Sequence, residues 1–386
     1  CVRWGRWRSP ARRLCRCLNL INNVTNKAGV YVHFPFCKHR CAYCSFVSST
    51  DFSLQEEYYY RLKAEISSRV PYGESDTLYF GGGTPSAVKH GLLSEVYREI
   101  EKHFGSHYAE FTVEANPDSV SAEFLSECRD MGVNRISMGL QSADDSVLKK
   151  IGRIHDVAKF LAAARTIKAY GFENVSSDLI LGLPGQTLSD VDNAVRLFDK
   201  TGMTHVSVYS LSVESGTPLY ESGYKPDDDR QADMYGRAVE ILKQYGYLRY
   251  EVSNFARDGK IALHNYKYWT GADYYGFGAA AHSLEKNVRR ENTDSLYDYL
   301  AGKTLKAEYK LTPTDVRTEY IMLRLRTEKG INLLDYGLRF GVSFLAEKEK
   351  EIKKLLSAKV IEINGNILKA TDKGFYLLNS VITELL

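Results

Sequence analysis

The sequence lacks any run of eighteen consecutive apolar residues among its 386. A membrane-spanning helix needs about 18–20 such residues, so no span is expected. An excess of one charge is also missing, because 51 basic and 48 acidic residues leave a net charge of +3. That balance does not indicate nucleic acid as a partner. With 44% hydrophobic and 26% charged residues, the composition predicts a globular protein with one large domain and a smaller one.

Cysteine is used sparingly, and its positions do not form a spread-out disulfide framework. The seven cysteines are three in one loop, one in a helical stretch and three near the start: Cys37, Cys41, Cys44, Cys128, Cys1, Cys15 and Cys17. This pattern favours a reducing compartment with metal or redox chemistry at one place. We therefore expect a cytoplasmic protein.

Residues 1–28 contain six arginines and Lys27 but no acidic residue, and no initiator methionine. Such a basic leader is typical of a mitochondrial targeting segment, which would make the protein mitochondrial. Without a clear amphipathic helical period, the favoured interpretation is a disordered or over-extended gene start. A secretory signal is not expected, since there is no long apolar core.

From Gly29 onward, β-rich runs alternate with helical patterns. The predicted strands are 29–34, 76–80, 110–115, 133–140, 175–183 and 205–211, and the helices between them are 54–69, 87–103, 120–131, 156–170 and 187–201. This alternation predicts parallel βαβ units of one hand, which curve a sheet toward a barrel. Six strands fall short of a closed eight-stranded barrel. We expect an α/β fold with a partial, open (β/α)6 barrel over 29–225.

Each unusual polar motif follows a predicted strand. After the first five strands come the cysteine loop, "GGGTPS", "EANPDS", "GLQS" and "GLPGQT". In parallel barrels the chemistry gathers at the carboxyl ends of the strands. The sequence therefore predicts one active-site rim.

Two further segments follow the predicted barrel. Residues 226–310 are expected to be a connecting helical and aromatic segment that contains "HNYKYW". Residues 311–386 show helices, including one over 343–357, then a hairpin with Asn364-Gly365 at its turn, then a last helix. This order predicts a winged-helix-like domain. Its third helix mixes Glu and Lys, which favours a scaffold or lid over a DNA-reading role.

The loop "FCKHRCAYCSF" places thiols at Cys37, Cys41 and Cys44. Structural zinc needs four closed protein ligands, and no partner cysteine or histidine pair follows. Three thiolates on an iron–sulfur cubane leave one iron open to a small ligand. A cluster with one open iron is thus one use of three thiols, and zinc or buried cysteines without a metal are the alternatives.

The C-x3-C-x2-C spacing, following a strand and with Tyr43 before the third cysteine, resembles the radical S-adenosylmethionine (radical SAM) superfamily. The resemblance implies a 4Fe-4S cluster bound by the three cysteines. It also implies that the amino and carboxylate groups of S-adenosylmethionine occupy the open iron. An electron from the cluster then cleaves the sulfonium to give a 5′-deoxyadenosyl radical.

The same resemblance implies which residues hold the cofactor. "GGGTP" at 81–85 resembles the glycine motif of the superfamily; a tight turn is the alternative interpretation, and no P-loop Lys-Ser/Thr follows. Polar residues at later strand ends suit a sulfonium, a carboxylate and a ribose diol. Any one of them alone could be a cap or a surface charge. The predicted cofactor-binding residues are Tyr31, Gly82, Gly83, Thr84, Glu114, Gln141, Arg153 and Asp178.

A narrower resemblance comes from ordered motifs along the chain: "YVHFPFCKHRCAYCSF", "YFGGGTPS", "VEANPDS", "RISMGLQS", "GRIH", "DLILGLPGQT" and "YEVSNFA". They resemble the coproporphyrinogen III oxidase-like group, which contains the HemN oxidases and the shorter HemW haem chaperones. The oxidases carry a further cysteine where this chain has Phe46. The group also implies a HemN_C-type C-terminal domain.

"HNYKYW" at 264–269 resembles the H-N-x-x-Y-W signature of the HemW group, which is implicated in haem binding. His264 offers an imidazole for haem iron, and the adjacent aromatic residues offer flat apolar surface. The alternative is a histidine that only satisfies the fold. His282 is a weaker second candidate.

The resemblance implies a haem chaperone that binds a 4Fe-4S cluster, S-adenosylmethionine and haem and delivers haem to respiratory haem proteins. One alternative is an oxygen-independent coproporphyrinogen III oxidase, which decarboxylates two propionates. Another is a non-catalytic iron–sulfur scaffold. The expected partners are haem or porphyrin, recipient haem proteins, an electron donor and, by analogy, a second copy of the chain. No residue is assigned a catalytic role.

Overall fold

Six parallel strands form the centre of the fold. The computed structural model describes residues 27–69 and 74–386; the basic leader predicted over 1–28 lies almost wholly outside them. The strands are β1 Ala28–Phe34, β2 Ser75–Gly82, β3 Glu110–Ala115, β4 Arg135–Gln141, β5 Asn174–Leu181 and β6 His205–Ser210. They lie side by side in chain order, each parallel to the next. The predicted partial barrel is confirmed.

Amphipathic helices cover the outside of this sheet. They are α1 Gln55–Ser68, α2 Leu92–Phe104, α3 Ala122–Asp130, α4 Asp145–Lys150, α5 Val157–Ala169 and α6 Leu188–Lys200. Their starts follow from sequence: Ser121, Asp144 and Asp156 each cap a helix by accepting a backbone N–H, and Thr187 forms a capping box with Asp190. Each helix buries one apolar stripe, so the βαβ order directs every crossover to the same side.

Strands from the later chain extend the sheet at both edges. β7 Leu248–Arg249 and β8 Asn254–Ala256 follow β6, while β9 Tyr274–Phe277, β10 His282–Glu285, β11 Val288–Asn292 and β12 Leu305–Lys310 continue outward from β1. The segment 226–310 was expected only to connect. Its helices α8 Asp228–Gln244 and α9 Leu263–Thr270 are present, but these strands were missed. Tyr275, Phe277 and Tyr299 share the core of the barrel strands.

The C-terminal region has its own apolar core and a small sheet. It comprises α11 Pro313–Arg324, α12 Leu333–Phe340, α13 Phe344–Glu347, α14 Glu349–Ser357, α15 Asp372–Tyr376 and α16 Leu378–Leu385, with strands β13 Ile331–Asn332, β14 Ile361–Asn364 and β15 Ile367–Ala370. Two short helices, α7 Pro218–Glu221 and α10 Leu296–Leu300, belong to the earlier part.

Two local predictions in this region need correction. The helix expected over 343–357 breaks at Lys348, whose backbone leaves the helical region. The hairpin turn is Gly365-Asn366, because Asn364 pairs directly with Ile367. Gly365 takes a φ of +59°, which explains the glycine there. Within the residues that the structure describes, no helix is long and apolar enough to cross a membrane.

Candidate functional site

The cysteine loop leaves the carboxyl end of β1 and is tied back to that strand. The N–H of Cys37 donates to the carbonyl of Ser49 at 3.0 Å. His33 Nε2 lies 2.9 Å from the carbonyl oxygen of Val47, and His33 Nδ1 lies 3.1 Å from the Tyr31 hydroxyl. Tyr31, a predicted cofactor residue, thus orients the histidine that holds the far end of the loop.

Each of the three thiols lies beside one hydrogen-bond donor. The Thr84 hydroxyl donates to Cys37 Sγ at 3.4 Å, and Arg153 Nη1 donates to Cys41 Sγ at 3.5 Å. Cys44 receives a backbone hydrogen bond from Phe46, which opposes the rise in its pKa caused by burial. Burial likewise raises the pKa of Cys37. The donors favour bound thiolates, which is the form that an iron cluster requires.

The arrangement of the thiols does not suit a mononuclear metal site. Within 27–69 and 74–386, no three His, Cys, Asp or Glu side chains converge closely enough to hold one metal ion. Structural zinc needs four converging ligands, so the zinc interpretation has no geometric support. A cubane takes its cysteine ligands at different corners, so it does not require the three sulfurs to converge on one metal ion.

Ten of the twelve predicted site residues line one cavity of about 150 Å³. It lies at the carboxyl ends of β1 to β5, as predicted for the rim. The lining residues from the prediction are Cys37, Cys41, Cys44, Gly82, Gly83, Thr84, Glu114, Gln141, Arg153 and Asp178. The remaining two, Tyr31 and His264, do not line it.

The glycine motif lets the chain pass close to the cysteine loop. A β-carbon on Gly83 would lie 2.6 Å from the Phe34 carbonyl oxygen and 2.8 Å from the Phe36 nitrogen. Real β-carbons do not approach backbone atoms so closely, so only glycine fits. The Gly83 N–H donates to Phe34 and the Thr84 N–H to Phe36, both at 2.9 Å. The motif therefore holds the start of the cysteine loop as well as lining the cavity.

Two carboxylates face the cavity from β3 and β5. Burial raises the pKa of Glu114 to about 7, and the nearby Asp178 adds to this, while hydrogen bonds from the Tyr79 hydroxyl (2.6 Å) and the Gly82 N–H (3.0 Å) oppose it. Burial also raises the pKa of Asp178, against the effect of Ser207 and Arg153. A cationic guest beside such a pair would restore their charge, as a sulfonium or ammonium group can.

Gln141 shows two signs of a ligand site. Its φ is +67°, a left-handed conformation that a residue with a side chain rarely adopts. Its side-chain oxygen Oε1 is buried and has no hydrogen-bond partner among the described residues. Strain and an unsatisfied acceptor in a cavity fit a bound group that donates a hydrogen bond, as ribose hydroxyls or an amine do.

Sequence reasoning did not single out Asn116 or Tyr79, which both hydrogen-bond to predicted site residues. Asn116 lines the cavity, donates to the Thr84 hydroxyl oxygen at 3.0 Å and accepts from Arg153 Nη2 at 2.9 Å. Tyr79 holds Glu114 from the neighbouring strand. The motif "EANPDS" pointed to the loop of Asn116, whereas Tyr79 had no signal beyond its inward position on β2.

His264 lies at the opposite end of the barrel from the cavity. Helix α9 closes the amino-terminal opening: the N–H groups of Leu263 and His264 both donate to Glu110 of β3 at 2.9 Å. His264 is 1% exposed; its Nδ1 lies 3.0 Å from Thr77 Oγ1 and its Nε2 lies 2.9 Å from the Tyr268 hydroxyl. Burial lowers its pKa to about 3. His282 lies exposed on β10.

A larger cavity lies away from the predicted site. About 630 Å³ opens between β7 and the C-terminal sheet, lined by residues that include Lys243, Arg249 and Glu328. Arg249 pairs there with Glu328 at 2.8 Å and with Asp372 at 2.6 Å. No predicted site residue reaches it. The chemistry-bearing residues converge on the smaller cavity, which we take as the functional site.

Comparison with known proteins agrees with a barrel that carries the cysteine loop and a separate C-terminal region. Residues 31–198 match the Radical SAM superfamily and residues 311–377 match the HemN C-terminal domain. The Heme chaperone HemW of Lactococcus lactis is 34% identical over 92% of this chain and 96% of its own length. That of Bacillus subtilis is 32% identical over 92% of this chain and 98% of its own.

Two further similarities extend this range. The mitochondrial Radical S-adenosyl methionine domain-containing protein 1 of Bos taurus is 30% identical over 94% of this chain and 88% of its own length. The solved structure of coproporphyrinogen III oxidase (HemN) from Escherichia coli has a TM-score of 0.81 at 21% identity, covering 95% of this chain and 92% of that one. At that identity the likeness shows a shared fold.

Proposed function

We propose, from the premise that this chain belongs to the radical SAM superfamily and, within it, to the HemW family, that it is a haem chaperone: it binds haem and delivers it to haem proteins. The relatives that match over nearly the whole chain carry the printed name Heme chaperone HemW. The observation that carries the proposal is this match over 92% of the chain, together with a cavity lined by ten of the predicted residues.

The proposal assigns a 4Fe-4S cluster to Cys37, Cys41 and Cys44 and S-adenosylmethionine to the adjoining cavity. When bound, the cluster supplies a one-electron reductant beside the sulfonium of the cofactor. Glu114 and Asp178 compensate the positive charge, and Gln141 accepts a hydrogen bond from the guest. Gly82 and Gly83 line the cavity and let the cysteine loop pack against it, while Thr84 and Arg153 donate to the ligating sulfurs. The proposal gives Tyr31 a supporting place behind His33.

Haem ligation by His264 would require one of its present hydrogen-bond partners to move away. Both ring nitrogens are within hydrogen-bond distance of a partner, so iron could bind only if Thr77 or Tyr268 gave way. The same contacts are also explained without haem, by a histidine that only helps to close the amino-terminal end of the barrel. Whether the chain binds haem and whether His264 ligates that haem are separate questions, and each is tested separately.

Phe46 is one difference between this chain and the oxidases of the alternative function. It stands where the oxidases carry a further cysteine and is 65% exposed at the mouth of the cavity. A phenyl ring cannot supply the thiol that the oxidases have at this position. This favours cargo binding over decarboxylation, although the HemN fold is shared.

Anaerobic product analysis tests the assignment. The reconstituted chain is incubated with coproporphyrinogen III, S-adenosylmethionine and a reductant, and the porphyrins are separated after oxidation. We expect no protoporphyrinogen IX. In parallel, haem-loaded chain is mixed with the apo form of a b-type cytochrome, and we expect haem to move to the cytochrome. Sustained decarboxylation without transfer would establish the oxidase instead, and a cluster with neither activity would leave the scaffold.

The remaining partners belong to the same proposal. An electron donor is needed to reduce the cluster, and a homodimer is proposed by analogy. Mass photometry of the chain with and without its cluster tests the dimer. The proposed compartment is reducing, either the cytoplasm or the mitochondrion indicated by the name of the cattle relative. Imaging of fluorescent fusions that carry residues 1–386 or residues 29–386 distinguishes the two compartments.

A further inference from the structure

Asn116 joins the two side chains that contact the cluster thiols. It lies in the loop after β3, and its amide donates to Thr84 Oγ1 at 3.0 Å and accepts from Arg153 Nη2 at 2.9 Å. Arginine carries only donors, so the amide oxygen must face Arg153 and the amide NH₂ is left for Thr84. The orientation of this side chain is therefore fixed by chemistry.

The backbone of Asn116 is held as firmly as its side chain. Its N–H donates to Ser86 Oγ at 3.1 Å, and the Ser119 hydroxyl donates to its carbonyl at 3.1 Å. The two serine hydroxyls lie 2.6 Å apart, and both side chains are buried. The loop after β3 is thus anchored to the segment that follows the glycine motif, and Asn116 is placed on a rigid support.

The two partners of Asn116 each have one donor directed at a sulfur. The Thr84 hydroxyl carries a single proton, and since its oxygen accepts from Asn116, that proton is free to point at Cys37 Sγ, 3.4 Å away. Arg153 Nη2 is fixed by Asn116 and by the Gly139 carbonyl at 3.2 Å, which directs Nη1 to Cys41 Sγ at 3.5 Å. One amide therefore orients donors for two of the three ligating thiols.

Hydrogen bonds to the sulfurs are one of the factors that set the reduction potential of an iron–sulfur cluster. They stabilise the more negative, reduced state more than the oxidised one, so they raise the potential. We propose that Asn116 is a positioning residue that raises the reduction potential of the cluster by orienting Thr84 toward Cys37 and Arg153 toward Cys41. The inference rests on the cluster assigned in the proposed function and extends it to a residue with no metal contact.

The test measures the midpoint potential of the reconstituted cluster by redox titration followed by electron paramagnetic resonance. Asn116→Leu removes both hydrogen-bonding groups at similar volume. Asn193→Leu, at an exposed position of α6, is the matched control. We expect Asn116→Leu to lower the potential, with about a tenfold change in the reduction equilibrium, or about 59 mV for one electron. The control should match the wild type.

A double-mutant cycle separates positioning from a general structural effect. Thr84→Val removes the donor to Cys37, so the shift caused by Asn116→Leu should be smaller in that background than alone. Additive shifts would show that Asn116 does not act through Thr84 and would overturn the proposal, as would an unchanged potential in Asn116→Leu.

Loading decides the remaining outcomes. If Asn116→Leu binds no cluster, the midpoint potential is measured on Asn116→Ala instead. If neither variant binds a cluster while the Asn193→Leu control does, Asn116 has a structural role and the proposal is overturned. A wild-type chain that binds no cluster would instead overturn the proposed function, so the two failures are distinguishable.

Discussion

The imidazole of His33 lies so close to Gly82 that a β-carbon on Gly82 would come within 2.3 Å of its ring atoms. That imidazole also holds the Val47 carbonyl at the end of the cysteine loop. The glycine motif and the metal loop are therefore packed against each other through one side chain. A change at Gly82 should reach the cluster without touching a cysteine.

Gly82→Ala should reduce cluster loading. The added methyl group must displace His33. In addition, position 82 has a φ of +106°, so any residue other than glycine there adds backbone strain of about 1–3 kcal/mol. Gly91→Ala is the matched control, because Gly91 has a φ of +89° but no neighbouring atom within 4 Å of the built β-carbon. Iron and sulfide per chain should fall below half of wild type in the first variant and stay normal in the second. Equal loading in both would show that the contact with His33 does not matter.

Cys41→Ala should abolish the iron–sulfur absorbance near 400 nm, since two thiolates cannot hold a cubane with an open iron. Cys128→Ala is the internal control: Cys128 is fully buried in α3. The control should lose about 1 kcal/mol of stability through lost packing and keep its cluster. Absorbance retained by Cys41→Ala after anaerobic reconstitution would contradict the cluster assignment.

Glu114→Gln should stabilise the cofactor-free fold at alkaline pH. The pKa of Glu114 is raised from 4.5 to about 7, so the folded chain holds a proton that the unfolded chain has lost between these values. Stability therefore falls as pH rises through that window, and above pH 7 the wild type carries the full cost of a buried charge. The variant avoids that cost.

Thermal unfolding at pH 5 and pH 8 checks this sign. The gain of Glu114→Gln over wild type should be larger at pH 8 than at pH 5, whereas Glu123→Gln, whose carboxylate has a lowered pKa, should show no such gain. S-adenosylmethionine binding at pH 8 should weaken by roughly 10-fold or more, as expected for a lost charged hydrogen bond. A gain at pH 5 alone would refute the assigned shift.

Much of this site could be predicted because its signals are local. The cysteine spacing, the glycines and the strand-end polar residues each follow a short β-rich run, and the carboxyl ends of parallel strands meet at one edge. Glu114 and Asp178 come together for that reason, although they lie 64 positions apart in the sequence. Topology supplied the long-range contacts.

The rest depended on contacts that no local pattern records. The short strands of 274–310 carry little periodicity, and they join the sheet because β1 presents an open edge. Tyr79 reads as an ordinary inward strand residue until its hydroxyl is found on Glu114. "HNYKYW" suggested a ligand, yet the structure shows a helix N-terminus capped by Glu110, which lies more than 150 residues earlier.

His264→Ala tests whether helix α9 closes the barrel, binds haem or does both. Losing the imidazole removes its contacts with Thr77 and Tyr268 and leaves a void beneath Gly29, so we expect about 2–4 kcal/mol of destabilisation in denaturant. If His264 only closes the barrel, haem titration of the folded variant should give an unchanged Soret band. The control His282→Ala, at an exposed position, should change neither the stability nor the Soret band.

A shifted or lost Soret band in His264→Gln, which keeps hydrogen-bonding groups at this position, would establish ligation. Iron would then have to replace Thr77 or Tyr268 at the ring, and haem loading should alter the ultraviolet resonance Raman bands of Tyr268.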